Sequence, residues 1–189
     1  AIALYTPVPP QASADSAAMR RNLSRMLAWA KGLEQSDGRD LASVRILGTG
    51  MRSIVVRVNF EAADPAEAAE ALPSSLILKR YRRKDSTQNA GGFGYLRERY
   101  GLPALNEQVP GLFPRFYGAD AELRVIALED VSAGTAEGEQ YSVAHALTKG
   151  AKEQALNALD YYVGAYRSLA RAGIMGEAVE SYRANLARA

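Results

Sequence analysis

The stretch RILGTGMRSIVVRVNF, Arg45–Phe60, decides how this chain is read. Two glycines, Gly48 and Gly50, stand one residue apart between two runs rich in Ile, Leu and Val, which read as strands. The turn is not a P-loop, because no Gly-Lys-Ser or Gly-Lys-Thr follows after a four-residue gap. Nor is it the dinucleotide fingerprint, which opens a helix, whereas SIVVRVNF is strand-like. What remains is a hairpin. Such a turn is most often only a turn, yet glycines without a Cβ also let backbone N–H groups approach phosphate oxygens. What decides between these readings lies further along the chain.

Around the turn, SVRILG, RSIVVRVNF and SSLILKRY read as three strands, the last two joined by EAADPAEAAEALP as a loop or short helix. RRKDSTQNAGGFG is a flexible basic connection, and YLRERYGLPALNEQ a helix disturbed by Gly101 and Pro103. PRFYGAD and LRVIALEDV give two more strands about an Ala-Asp turn. Upstream, a Pro-rich leader TPVPPQASADS precedes a helix with Met19, Leu23, Met26, Leu27, Ala30 and Leu33 on one face, capped at Ser13 or Ser16 and ended by Gly38. Downstream the chain turns helical from Tyr141. There AKEQALNALDYYVGAYRSLARAG carries Ala155, Leu159, Tyr162, Tyr166 and Leu169 on one face, with Gly173 as its C-cap, and GEAVESYRANLARA is a further helix.

This order predicts an α+β fold: a mainly antiparallel five-stranded sheet with one helix inserted after the third strand, a helix before it and helices after it. It divides the chain into a leader and helix (1–40), a sheet domain (41–134) and a helical segment (135–189).

Composition narrows the function classes. The 189 residues are 48% hydrophobic and 23% charged, as in ordinary globular chains, and a formal charge of +2 argues for neither nucleic acid nor anionic membrane. Cysteine is absent, so a disulfide framework, a Cys-based zinc site and a thiol nucleophile are excluded. No apolar run approaches the roughly 18–20 residues of a spanning helix, and AIALYTPVPPQASADS lacks the regions of a signal peptide. The expected setting is cytoplasmic, with no nucleic-acid or membrane partner.

Lys79 ends the apolar run LIL in the third strand, where a charge is costly without a partner. It shares a face with Ile77 and Ser75, while Leu76, Leu78 and Arg80 point the other way. The following helix offers two acids, Glu98 and Glu107, with Glu98 ahead of Pro103. A strand lysine paired to a helix glutamate beside a glycine hairpin is the nucleotide-clamping arrangement of protein-kinase-like folds.

In this order the chain resembles the N-terminal lobe of the aminoglycoside phosphotransferase family, the small-molecule branch of the protein-kinase-like fold that includes choline and homoserine kinases. The resemblance runs through GTGMRSIVVRV, LILKRY, LRERYGLPALNEQVPGLFPRFYGAD and RVIALEDVSAG, covering about Val44 to Gly134. It implies an ATP-binding lobe of a kinase, a transferase acting on a small-molecule acceptor with Mg²⁺. It further implies that Gly48, Gly50 and Ser53 shape a loop over the phosphates, and that Val55 and Ile77 cover the adenine. Lys79 would contact the α- and β-phosphates and pair with Glu98, and backbone groups around Glu129, Asp130 and Val131 would bond the adenine edge.

The family's catalytic half has a His-x-Asp loop with a downstream Asn and a magnesium-binding Asp. Here the single histidine, His145 in SVAHALTKG, has no such Asp after it and reads as a packing residue, and Asp160 lies inside a helical pattern. No catalytic residue and no metal ligand is therefore assigned. The expectation is a fragment of a longer phosphotransferase, inactive alone; the alternative is a non-catalytic scaffold or interaction module. KRYRRKD, Lys79–Asp85, reads as a solvated strand end and loop; Tyr161, Tyr162 and Tyr166 read as packing between helices, and Met19 and Met26 as helix core.

Overall fold

A computed structural model describes residues 13–49, 52–62, 72–82, 94–132, 150, 152–172 and 177–188. Helix α1 (Ser13–Lys31) comes first, then strands β1 (Leu41–Thr49), β2 (Ser53–Phe60) and β3 (Ser75–Tyr81). Helix α2 (Gly94–Gln108) follows, then β4 (Phe116–Asp120), β5 (Val125–Glu129), α3 (Lys152–Ala172) and α4 (Glu177–Arg188). The five strands form one sheet in the order β1-β2-β3-β5-β4, every neighbouring pair antiparallel. The α+β fold, the sheet and the helix after the third strand are those expected from the sequence.

The chain divides into two compact units. One comprises Ala1–Arg99 and Arg115–Asp130, the other Tyr100–Pro114 and Val131–Ala189.

In the first unit, alternation along the strands separates two faces. Val56, Val58 and Phe60 of β2, Leu76 and Leu78 of β3, and Val125 and Ala127 of β5 are buried together with Met26 and Ala30 of α1. Leu23, Leu27 and Leu33 pack against the same cluster, so the helical stripe read from the sequence is the stripe that docks. Close approach depends on Gly118 of β4, where a Cβ would stand 3.3 Å from Leu33 Cδ2 and 3.7 Å from Trp29 Cζ2. An ion pair from Arg25 of α1 to Glu122 ties the helix to the β4–β5 turn.

Several local expectations are corrected. α1 stops at Lys31, not Gly38; Gly32 and Leu33 N–H groups close tight turns onto Trp29 and Ala30, and a 3₁₀ turn at Glu34–Ser36 follows. Gly38, at φ 69°, serves the exit from that turn instead. The Ser36 hydroxyl donates to the Lys31 and Leu33 carbonyls at 2.6 Å, consuming helix-end acceptors that a longer α1 would have used. The β4–β5 turn is Ala121–Arg124; Asp120 ends β4 and its carboxylate accepts the Leu123 N–H at 2.7 Å.

α2 runs unbroken through Gly101 and Pro103. A proline within a helix loses one backbone bond, and the neighbouring turns carry the helix past it. In the second unit Gly101 faces the Tyr182 ring of α4, with a would-be Cβ 3.6 Å from Cε2. Leu159, Tyr161, Tyr162 and Tyr166 of α3 are exposed, so the expected packing between helices does not occur among the described residues, although Ala155 is buried. Tyr162 and Tyr166 instead contact each other, ring centroids 4.7 Å apart. The side chains of Met19 and Leu169, His145, Gly173, the leader up to Ala12 and most of the two loops flanking β3 lie outside the described residues, as does Gly50.

Candidate functional site

The face of the sheet opposite α1 carries the residues singled out from the sequence. Directly paired residues of antiparallel strands share a face, and the register gives Gly48 opposite Val55, Val55 opposite Lys79, and Lys79 opposite Ile126. The next row joins Arg57, Ile77 and Leu128. Val55, Ile77 and Lys79 are thus immediate neighbours. All three are half-buried.

Lys79 donates to Glu98 Oε1 at 2.5 Å, with the side chains 27% and 31% exposed. The pairing follows from spacing. Tyr95 and Glu98, three apart on α2, project from one side of the helix, and Tyr95 meets the Tyr81 ring while Glu98 meets Lys79. Two residues of strand, about 6.6 Å, are met by three residues of helix, about 4.5 Å. Glu107, the other candidate acid, is exposed. A pair this accessible contributes about 1 kcal/mol, so its interest lies in where it holds the ammonium.

Tyr81 extends the row Ser75, Ile77, Lys79 by one more step of two, a signal the sequence carries and the sequence reading left unused. It is 6% exposed, and its ring lies 5.2 Å from Lys79 Nζ and 5.9 Å from the Tyr95 ring, edge-on. The start of α2 closes over it: a Cβ on Gly94 would stand 3.2 Å from Tyr81 Cε1. Burial, and then the Glu98 carboxylate beside it, holds the phenol far above the usual tyrosine range. The strand end expected to be solvated is therefore covered at Tyr81, though Arg82 is exposed.

The glycine turn lies at the Tyr81 end of the sheet, where Ser53 pairs with Tyr81 and the Arg82 N–H donates to the Arg52 carbonyl at 2.9 Å. Space above Gly48 is open, with no atom within 4 Å of a would-be Cβ.

At the opposite end, β5 leads into Asp130 and Val131. Glu129 is committed to β4: its N–H donates to the Arg115 carbonyl at 2.8 Å and its Oε2 accepts the Arg115 N–H at 3.0 Å. Val131 is 73% exposed. Asp130, weighed from the sequence only for its backbone, is 5% exposed. It accepts from Arg57 Nη2 at 3.2 Å and from the Ser75 hydroxyl at 2.7 Å, with Arg57 Nε in ion-pair contact at 2.7 Å. Period two from Val55 marks Arg57 as a resident of this face, but nothing local in the sequence names Asp130 as its partner.

Among the described residues no group of three or more His, Cys, Asp or Glu converges as metal ligands would. No step on this chain is routed through Mg²⁺. No helix among them is long and apolar enough to cross a membrane.

No family model and no curated protein matches the chain.

Proposed function

We propose that the face bearing Val55, Ile77 and Lys79 binds ATP, and that the first unit is a protein-kinase-like nucleotide lobe of a small-molecule phosphotransferase. One observation carries this: Lys79 is held by Glu98 at 2.5 Å, on the face shared with two apolar side chains and in the row of Gly48, above which space is open. Kinase-like sites require such a strand lysine and helix glutamate to be joined before the α- and β-phosphates are gripped. Glu98 fixes the ammonium in place, leaving further N–H donors for phosphate oxygens. Val55 and Ile77 offer apolar surface to a base, and backbone at Asp130 offers its edge. On this reading the face holds the nucleotide, and none of its residues is assigned to activating an acceptor hydroxyl or amine.

Ligand that binds only the folded state at a hundred times its dissociation constant stabilises by about 2.7 kcal/mol. Millimolar Mg-ATP is therefore expected to raise the melting temperature by several degrees, and Lys79→Ala to abolish most of the rise. An unchanged melting curve in the wild type would sink the proposal.

A second reading is favoured by α3, which exposes Leu156, Leu159, Tyr161, Tyr162, Val163 and Tyr166. Here the lobe is a scaffold and α3 pairs with a second copy of itself. Lys152, Glu153 and Asp160 give its first half a net charge of −1, and Arg167 and Arg171 give its second +2, so antiparallel copies meet with opposite net charges. This reading predicts a mass that grows with concentration.

A further inference from the structure

We propose that Tyr81 is a positioning residue for the phosphate-binding lysine: its hydroxyl donates to the Glu98 carboxylate when bound phosphates draw on Lys79. The inference rests on the nucleotide reading above and deepens it, by assigning how the lysine keeps its partner during binding.

Three observations lead to it. The Tyr81 hydroxyl is buried and makes no hydrogen bond of good geometry among the described residues, although the Glu98 carboxylate lies close enough to raise its pKa. A polar atom in that condition is costly to the fold, and Phe would fill the same space without the cost. The ring lies against both members of the pair's surroundings, 5.2 Å from Lys79 Nζ and edge-on to Tyr95, three residues before Glu98 on the same side of α2. Finally, the start of α2 closes over the ring, with a would-be Gly94 Cβ 3.2 Å from Tyr81 Cε1, and the same helix carries Glu98.

The chemistry is an exchange of hydrogen bonds with no proton transferred. Lys79 has three N–H donors. As phosphates recruit some of them, the Glu98 carboxylate needs a replacement donor to stay aimed at the lysine. The phenol is such a donor, and its burial beside Glu98 keeps it protonated through the neutral range. The Arg124 and Arg99 guanidiniums lie over Tyr95, 5.6 Å and 5.9 Å from its centroid, and hold the ring that borders the cluster.

Tyr81→Phe tests the hydroxyl alone. In the ligand-free protein its melting temperature is expected to equal or exceed that of the wild type, since the lost group has no bond to give up. Its affinity for Mg-ATP is expected to fall by about fivefold, the equivalent of one hydrogen bond, while adenosine, which has no phosphates, binds as before. In a Lys79→Met background the same change is expected to add nothing, because the hydroxyl acts through the lysine. Failure of the wild type to bind Mg-ATP overturns the nucleotide reading and this inference with it. A wild type that binds, beside a Tyr81→Phe variant of equal Mg-ATP affinity or with Mg-ATP and adenosine weakened alike, overturns the role of Tyr81 alone.

Discussion

Asp130 lies at the end of β5 with almost no exposure, held by the Arg57 guanidinium through two atoms and by the Ser75 hydroxyl. A carboxylate removed from water so completely is tolerable only because both partners converge on it. Deleting one member of such a group strands the others, and this costs more than the pair itself is worth. Asp130→Ala is accordingly expected to destabilise the protein by about 3 kcal/mol, read as a lower urea midpoint with an unchanged slope. A loss within the scatter of surface substitutions, about 0.5 kcal/mol, would show that Arg57 escapes to water at no cost. Lys79 and Glu98 are a different case. Both keep roughly a third of their surface, so the pair is open to a ligand and adds little to the fold.

Elements were legible wherever periodicity and burial agreed. The runs SIVVRVNF and SLILKRY alternate between a face buried under α1 and the face on which Val55, Arg57, Ile77 and Lys79 are half-buried, and the sequence pattern already placed Lys79 with Ile77 and Ser75. Proline and glycine misled in α2, because helix length and packing override one lost backbone bond. They misled again at the end of α1, where Ser36 and a 3₁₀ turn end the helix before the glycine is reached. Contacts between distant residues were the least legible: Arg57 and Asp130 are 73 positions apart, and only the sheet order brings them together.

The apolar stripe of α3 shows the limit of periodicity. Spacing gives an apolar face but not its cover, and the tyrosines read as core are open in the structure. If that face pairs with a second copy, light scattering on the purified chain is expected to show a rising mass with concentration, and Tyr162→Lys to restore the monomer. A constant monomer mass over a hundredfold range would remove the self-pairing reading.

At the scale of the molecule, the two units carry separate features. The unit of Ala1–Arg99 and Arg115–Asp130 holds the sheet, the Lys79–Glu98 pair and the buried Asp130 group; the unit of Tyr100–Pro114 and Val131–Ala189 holds α3 and α4. Nucleotide binding is a claim about the first. Hydrogen exchange with and without saturating Mg-ATP tests it most directly, because it reports where the ligand acts. The account predicts slower exchange at Ser53–Val55, around Lys79 in β3 and at Asp130, with α3 and α4 unchanged. No protection anywhere, or protection confined to Lys152–Arg188, would contradict it.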